Sequence, residues 1–200
     1  MADQHSPRSI QLTDPRALRA YAHPTRLALV GLLRREGPMT ATQAADAIGE
    51  SVASCSFHLR QLAKYGLVEE AGGGRGREKP WRATAMFTSW DTSSADPAAA
   101  AATEALELAV AERYFELMAR WVQTRAEEPA AWQEAARFGD TVLHLTVAEL
   151  RELGDKFQEL VQPYLERLDD ASKRPAQSRP VSLLQLAFPV DAAGRDSHRG

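Results

Sequence analysis

One cysteine, Cys55, stands in the 200 residues of this chain. A lone thiol excludes an internal disulfide framework and any motif that sets two cysteines around a zinc ion. Aromatic residues are scarce at 7%. No apolar run reaches the roughly 20 residues needed to span a bilayer, and the polar start MADQHSPRSIQ lacks the apolar centre of a secretory signal. A cytoplasmic protein without membrane contact is the expectation. No G-x-S-x-G elbow is present, and the glycine run GGGRGR at 72–77 lacks the lysine and serine of a phosphate loop and opens no helix. The chain is therefore read as a non-enzyme without a cofactor. Its five histidines, His5, His23, His58, His144 and His198, include no pair at helical ligand spacing, so no metal site is expected.

What is present concentrates between Thr40 and Arg82. Thr40 followed by Gln43 is a capping box, which satisfies two backbone donors at a helix start. Ala44, Ala45, Ala47 and Ile48 give a short apolar helix, and Gly49 supplies the left-handed residue that stops it. Ser51 caps a second helix, in which Val52, Cys55, Leu59 and Leu62 share one face and are expected to pack inward. Phe57 lies opposite, flanked by Ala53, Ser54, Arg60, Gln61 and Lys64. Arg60 and Gln61 suit base edges, Ser54 and Ser56 suit bases or phosphates, Phe57 suits a thymine methyl and Lys64 suits phosphate. Thr40 and Ser51 complete the set expected at the DNA. Leu67 to Ala71 and Lys79 to Ala83 read as two strands joined by the glycine loop, whose Arg75 and Arg77 can follow a phosphate backbone or enter a minor groove. Helix, turn, helix, strand, loop and strand is the plan of a winged helix that binds double-stranded DNA.

The block His23-Pro24-Thr25-Arg26-Leu27, the run from Ser54 to Leu62 and Gly66-Leu67-Val68 together resemble the ArsR/SmtB superfamily of winged-helix repressors, over roughly residues 15–82. That resemblance implies a homodimeric transcriptional repressor on an inverted-repeat operator, with one recognition helix per half-site. It places Ser54, Ser56, Phe57, His58 and Arg60 on the recognition helix and Arg75 and Arg77 on the wing, and it gives the first helix a part in the dimer interface. The metal-sensing branch differs, because it uses paired cysteines or a histidine and carboxylate set, whereas Cys55 is alone and on the inward stripe. Two other readings stay open: a winged-helix protein-interaction module with no operator, and a redox-responsive or metal-responsive regulator.

Charge divides the chain. Residues 14–83 hold eleven Lys or Arg against seven Asp or Glu, and residues 84–170 hold seven against seventeen. A basic part can hold phosphate while an acidic part faces away, so the net charge of -3 does not oppose DNA binding. The expected organisation is a disordered start at 1–13, a winged-helix domain at 14–90, a helical region for dimerisation and effector binding at 95–190, and a disordered tail at 191–200. Asp14-Pro15 starts a helix through Ala22, and Pro24 opens another that ends near Gly37 and contributes Arg26, Leu27, Leu29, Val30, Leu32 and Leu33 to the core. A long helix from Ala98 to about Ala126 carries Leu106, Val110, Tyr114, Leu117, Met118 and Trp121 on one face. Thr146 and Glu149 form a second capping box, opening a helix that Pro163 should kink or divide. Residues 141–145 and 181–190 alternate as strands do and are expected to share a small sheet. Most aromatics are read as core or interface, while Phe87, Trp90, Tyr114 and Trp121 are the candidates for a small apolar effector. The fold class is mainly α with small β.

Overall fold

A computed structural model describes residues 9–72, 79–91 and 94–190. They fall into two compact bodies, divided between Ala136 and Arg137. The first contains β1 (Ser9–Leu12), α1 (Pro15–Tyr21), α2 (Pro24–Glu36), α3 (Ala41–Ile48), α4 (Val52–Lys64), β2 (Val68–Glu70), β3 (Trp81–Ala83), β4 (Phe87–Trp90), α5 (Pro97–Thr124), a 3₁₀ turn at Arg125–Glu127 and α6 (Ala130–Ala135). The break between bodies does not fall at residue 95, where the helical region was expected to begin, because α5 packs on α1 and α2.

Local chemistry fixes the helix ends. Asp14 accepts a hydrogen bond from the Arg16 amide, with Pro15 as the first helical residue of α1. Both halves of the Thr40 and Gln43 capping box form at α3, and Gly49 closes that helix at φ 72°, where any side chain would strain the backbone. The Ser51 hydroxyl accepts from the Ser54 amide and starts α4. Thr40→Ala is expected to lower stability by about 1 kcal/mol, measured by urea denaturation followed through far-ultraviolet circular dichroism.

One core joins these helices. Leu27, Leu29, Val30, Leu32 and Leu33 of α2 pack with Ala44 and Ala45 of α3, Cys55, Leu59 and Leu62 of α4, Leu67 and Val68 at β2, and Ala102 and Leu106 of α5. Arg26, expected with the α2 core residues, is only half-buried. Val52, expected on the inward stripe of α4, is 44% exposed. It is the first helical residue, so no preceding turn or facing helix covers it.

Two small sheets frame the core. β2 and β3 pair antiparallel, with Val68 opposite Ala83, Glu69 opposite Arg82 and Glu70 opposite Trp81. An ion pair of 2.8 Å joins Arg82 to Glu69, and one of 2.6 Å joins Lys79 to Glu70. The second sheet was not anticipated: β1 pairs in parallel with β4, placing Ser9 beside Phe87 and Leu12 beside Trp90. Ser9–Leu12 falls within the start expected to be disordered, yet it forms a strand and Leu12 is buried. Arg34 of α2 reaches the chain before and within β4, donating to the Ala85 carbonyl at 2.9 Å and the Thr88 hydroxyl at 2.7 Å.

The second body contains α7 (Val147–Asp169) and a 3₁₀ turn at Ala171–Lys173. Its capping box forms as the sequence indicated, Thr146 accepting from the Glu149 amide and Glu149 from the Thr146 amide. Pro163 does not divide the helix, which runs on to Asp169. Residues 141–145 and 181–190 form no strands, which corrects the expected sheet there. Alternation makes a segment suitable for a sheet, but a strand exists only where a partner takes its backbone hydrogen bonds. None of the described side chains from Arg137 to Val190 is buried.

Candidate nucleic-acid interface

The site begins with the turn between α3 and α4. Gly49 reverses the chain, and its amide donates to the Ala45 carbonyl, while the Glu50 amide does the same at 3.1 Å. Ser51 then restarts the chain as α4, whose burial of Cys55, Leu59 and Leu62 leaves the opposite face outward. That outward face consists of Ala53, Phe57, Arg60 and Lys64, all exposed, with Ser54 and Gln61 half-buried at its edges. Phe57 is 51% exposed. Arg60 has the planar fork that pairs with two acceptors of a guanine edge.

The remaining sequence candidates take different places. Thr40 and Ser51 use their oxygens to cap helices, which leaves each hydroxyl proton free to donate. Ser56 is half-buried. His58 lies on the side of α4 that meets α2, its ring centroid 4.6 Å from that of His23 and 5.2 Å from that of Phe57. Arg75 and Arg77 lie outside the described residues, although β2 and β3, which carry their loop, are in place. The Cys55 thiol is buried, and burial, reinforced by the charge of Glu50, pushes its pKa up, away from the thiolate that reacts.

The four aromatics proposed for an effector do not converge. Phe87 and Trp90 fall on opposite faces of β4, because side chains alternate along a strand. Trp90 donates to Glu107 of α5 at 3.3 Å. Tyr114 and Trp121 stand on α5 about 10 Å apart along its axis.

Sequence reasoning missed the meeting of His23, Arg26 and His58. Arg26 Nη1 lies 3.4 Å from His58 Nδ1, while its Nε and Nη2 donate to the Ala20 and Arg19 carbonyls at the end of α1. His23 and Arg26 stand at the start of α2 and His58 in α4, so no local spacing announces the meeting. The blocks His23–Leu27 and Ser54–Leu62 contain all three.

Among the described residues no helix is long and apolar enough to cross a membrane. A family model described as a helix-turn-helix domain matches residues 21–71, the stretch that holds α2, α3, α4 and β2. No curated protein matches the chain. Over those residues the chain is similar to helix-turn-helix domains, the architecture of DNA-binding regulators.

Proposed function

We propose that this chain is a sequence-specific transcriptional regulator of the ArsR type that binds an inverted-repeat operator as a homodimer and represses transcription from it. The observation that carries the reading is the outward face of α4, where Phe57, Arg60 and Lys64 stand exposed on a helix anchored through Cys55, Leu59 and Leu62. The helix enters a major groove with Arg60 and Gln61 toward base edges and Lys64 toward phosphate, while the wing arginines Arg75 and Arg77 hold the adjacent backbone. The basic balance of residues 14–83 supports it, because phosphate neutralisation supplies most of the non-specific affinity.

Dimerisation has its own support on α5. Leu108, Ala111, Phe115, Met118 and Val122 recur at alternating three-residue and four-residue steps, and every one of them is exposed. That spacing is the seam of a two-helix coiled coil. It is distinct from the face that packs on α1 and α2 through Ala102, Leu106, Ala109 and Val110.

Two variants separate reading from holding. Arg60→Ala is expected to cost about 1–3 kcal/mol at the preferred duplex and to relax sequence preference at the contacted position. Replacing Arg75 and Arg77 with Ala is expected to weaken all duplexes alike and to flatten the dependence of affinity on salt by about two phosphate contacts. Both are read by fluorescence anisotropy over a salt series, on duplexes selected from a random library. If neither changed affinity, α4 and its wing would not be the contact surface, and a protein-interaction module would be the better reading.

A further inference from the structure

The meeting point of α1, α2 and α4 is built around an acceptor that exists only while a histidine is uncharged. Arg26 has donors and no acceptor. Its approach to His58 Nδ1 is therefore a hydrogen bond only when that nitrogen carries a lone pair, with the ring neutral and its proton on Nε2. His23 packs on the same ring, and its Nδ1 is the one buried side-chain polar atom without a partner among the described residues. A proton placed on either Nδ1 becomes a donor aimed at a guanidinium or a donor buried with nothing to receive it. The guanidinium cannot retreat cheaply, because its other nitrogens hold the carbonyls that end α1.

We infer that Arg26, His58 and His23 form a joint that positions α4 for DNA, and that acid opens this joint, so that affinity for DNA falls as pH drops. The inference rests on the reading of α4 as the DNA-contacting helix. His58 directly precedes Leu59 and lies two residues from Arg60, so a shift of its ring away from α2 moves the exposed contact face. The charged and titratable groups facing the pair are Arg26 from α2, Glu50 from the turn before α4, and Tyr65 from the end of α4 beside Arg26. α1 contributes only its backbone carbonyls. Among these, Glu50 alone favours the charged rings.

The direction of the effect follows. Burial first, then the Arg26 charge, holds the His23 imidazole below its ordinary value; for His58 burial leads, followed by His23 and Arg26. A histidine held low in the folded state stabilises the closed joint fully above about pH 6.5, its unfolded value, and that stabilisation is lost as pH falls through the lowered folded values. Simple protonation of exposed groups has the opposite sign, because added positive charge strengthens binding to a polyanion.

The test is fluorescence anisotropy of the full chain on a fluorescein-labelled duplex selected from a random library near neutral pH, repeated at constant ionic strength into the acid range. Wild type is expected to lose affinity by about tenfold or more below pH 6.5 while its far-ultraviolet circular dichroism stays constant. His23→Gln combined with His58→Gln, uncharged throughout, is expected to lose less than about a third of that factor. Hydrogen exchange gives a reading that needs no variant: protection of the α4 amides is expected to fall relative to those of α7 over the same range. Affinity that stays level or rises, a loss retained in full by the double variant, or unchanged α4 protection each overturns the joint. Wild type that binds no duplex near neutral pH overturns the DNA reading itself, and the joint falls with it.

Discussion

Replacing Phe115 and Met118 of α5 with glutamate is expected to yield a folded monomer that holds its preferred duplex about a hundredfold or more weakly. Phe115 and Met118 are 65% and 39% exposed in the single chain, so neither supports the packing of α5 on α1 and α2. In a dimer each would lose apolar surface to water-free contact, worth about 1.5–3 kcal/mol per fully buried side chain, and the seam meets its own copy, so both substitutions count twice. Glutamate removes that gain and sets four like charges at one contact. The effect on DNA follows from linkage of two reading heads: the second half-site is bound at high effective concentration only while the heads are joined. Size-exclusion chromatography with light scattering, together with anisotropy on the selected duplex, reads both parts. A variant that remains dimeric would remove α5 from the interface.

Leu59→Ala is expected to destabilise the first body by about 2–5 kcal/mol. Leu59 is fully buried where α4 faces the α2 core, and truncation leaves a cavity that a close-packed interior fills poorly. Val52→Ala on the same helix is expected to cost less than about 1 kcal/mol, because Val52 already meets solvent. Urea denaturation of the two variants measures the contrast. Equal losses would mean that α4 is not anchored through its inward stripe.

Features that act within one turn of chain were legible in the sequence. Asp14 with Pro15, Thr40 with Gln43, Gly49, Ser51, and Thr146 with Glu149 each act on backbone groups two to four residues away, and all take the expected place. The inward stripe of α4 was legible except at Val52, because periodicity tells which residues share a face but not where the covering neighbour ends. Features that need a distant partner were illegible. Nothing in Ser-Ile-Gln-Leu at residues 9–12 signals a mate at 87–90, and nothing in the alternation of 141–145 or 181–190 shows that a mate is missing. At the site, Phe57, Arg60 and Lys64 were readable from a helical wheel, whereas the inward turn of His58 depends on His23 and Arg26 at the start of another helix. On α5, the apolar positions around Leu106 hid a second seam one residue-step away, because a helix with apolar residues on two sides shows no single clean stripe.

The parallel pairing of Ser9–Leu12 with Phe87–Trp90 sets an order on how this body comes together. On a growing chain the first strand emerges before α1 to α4 and waits without a partner until residue 90 is free. The helices between have short-range contacts and can assemble meanwhile, so closure of this sheet is a late event that bears the entropy of a long loop. During that interval β4 has an unpaired edge and Leu12 is uncovered, the condition in which strand edges recruit foreign chains. Rapid dilution from denaturant is therefore expected to lower the yield of this protein through β1 and β4, two strands of four residues each, ahead of its helices.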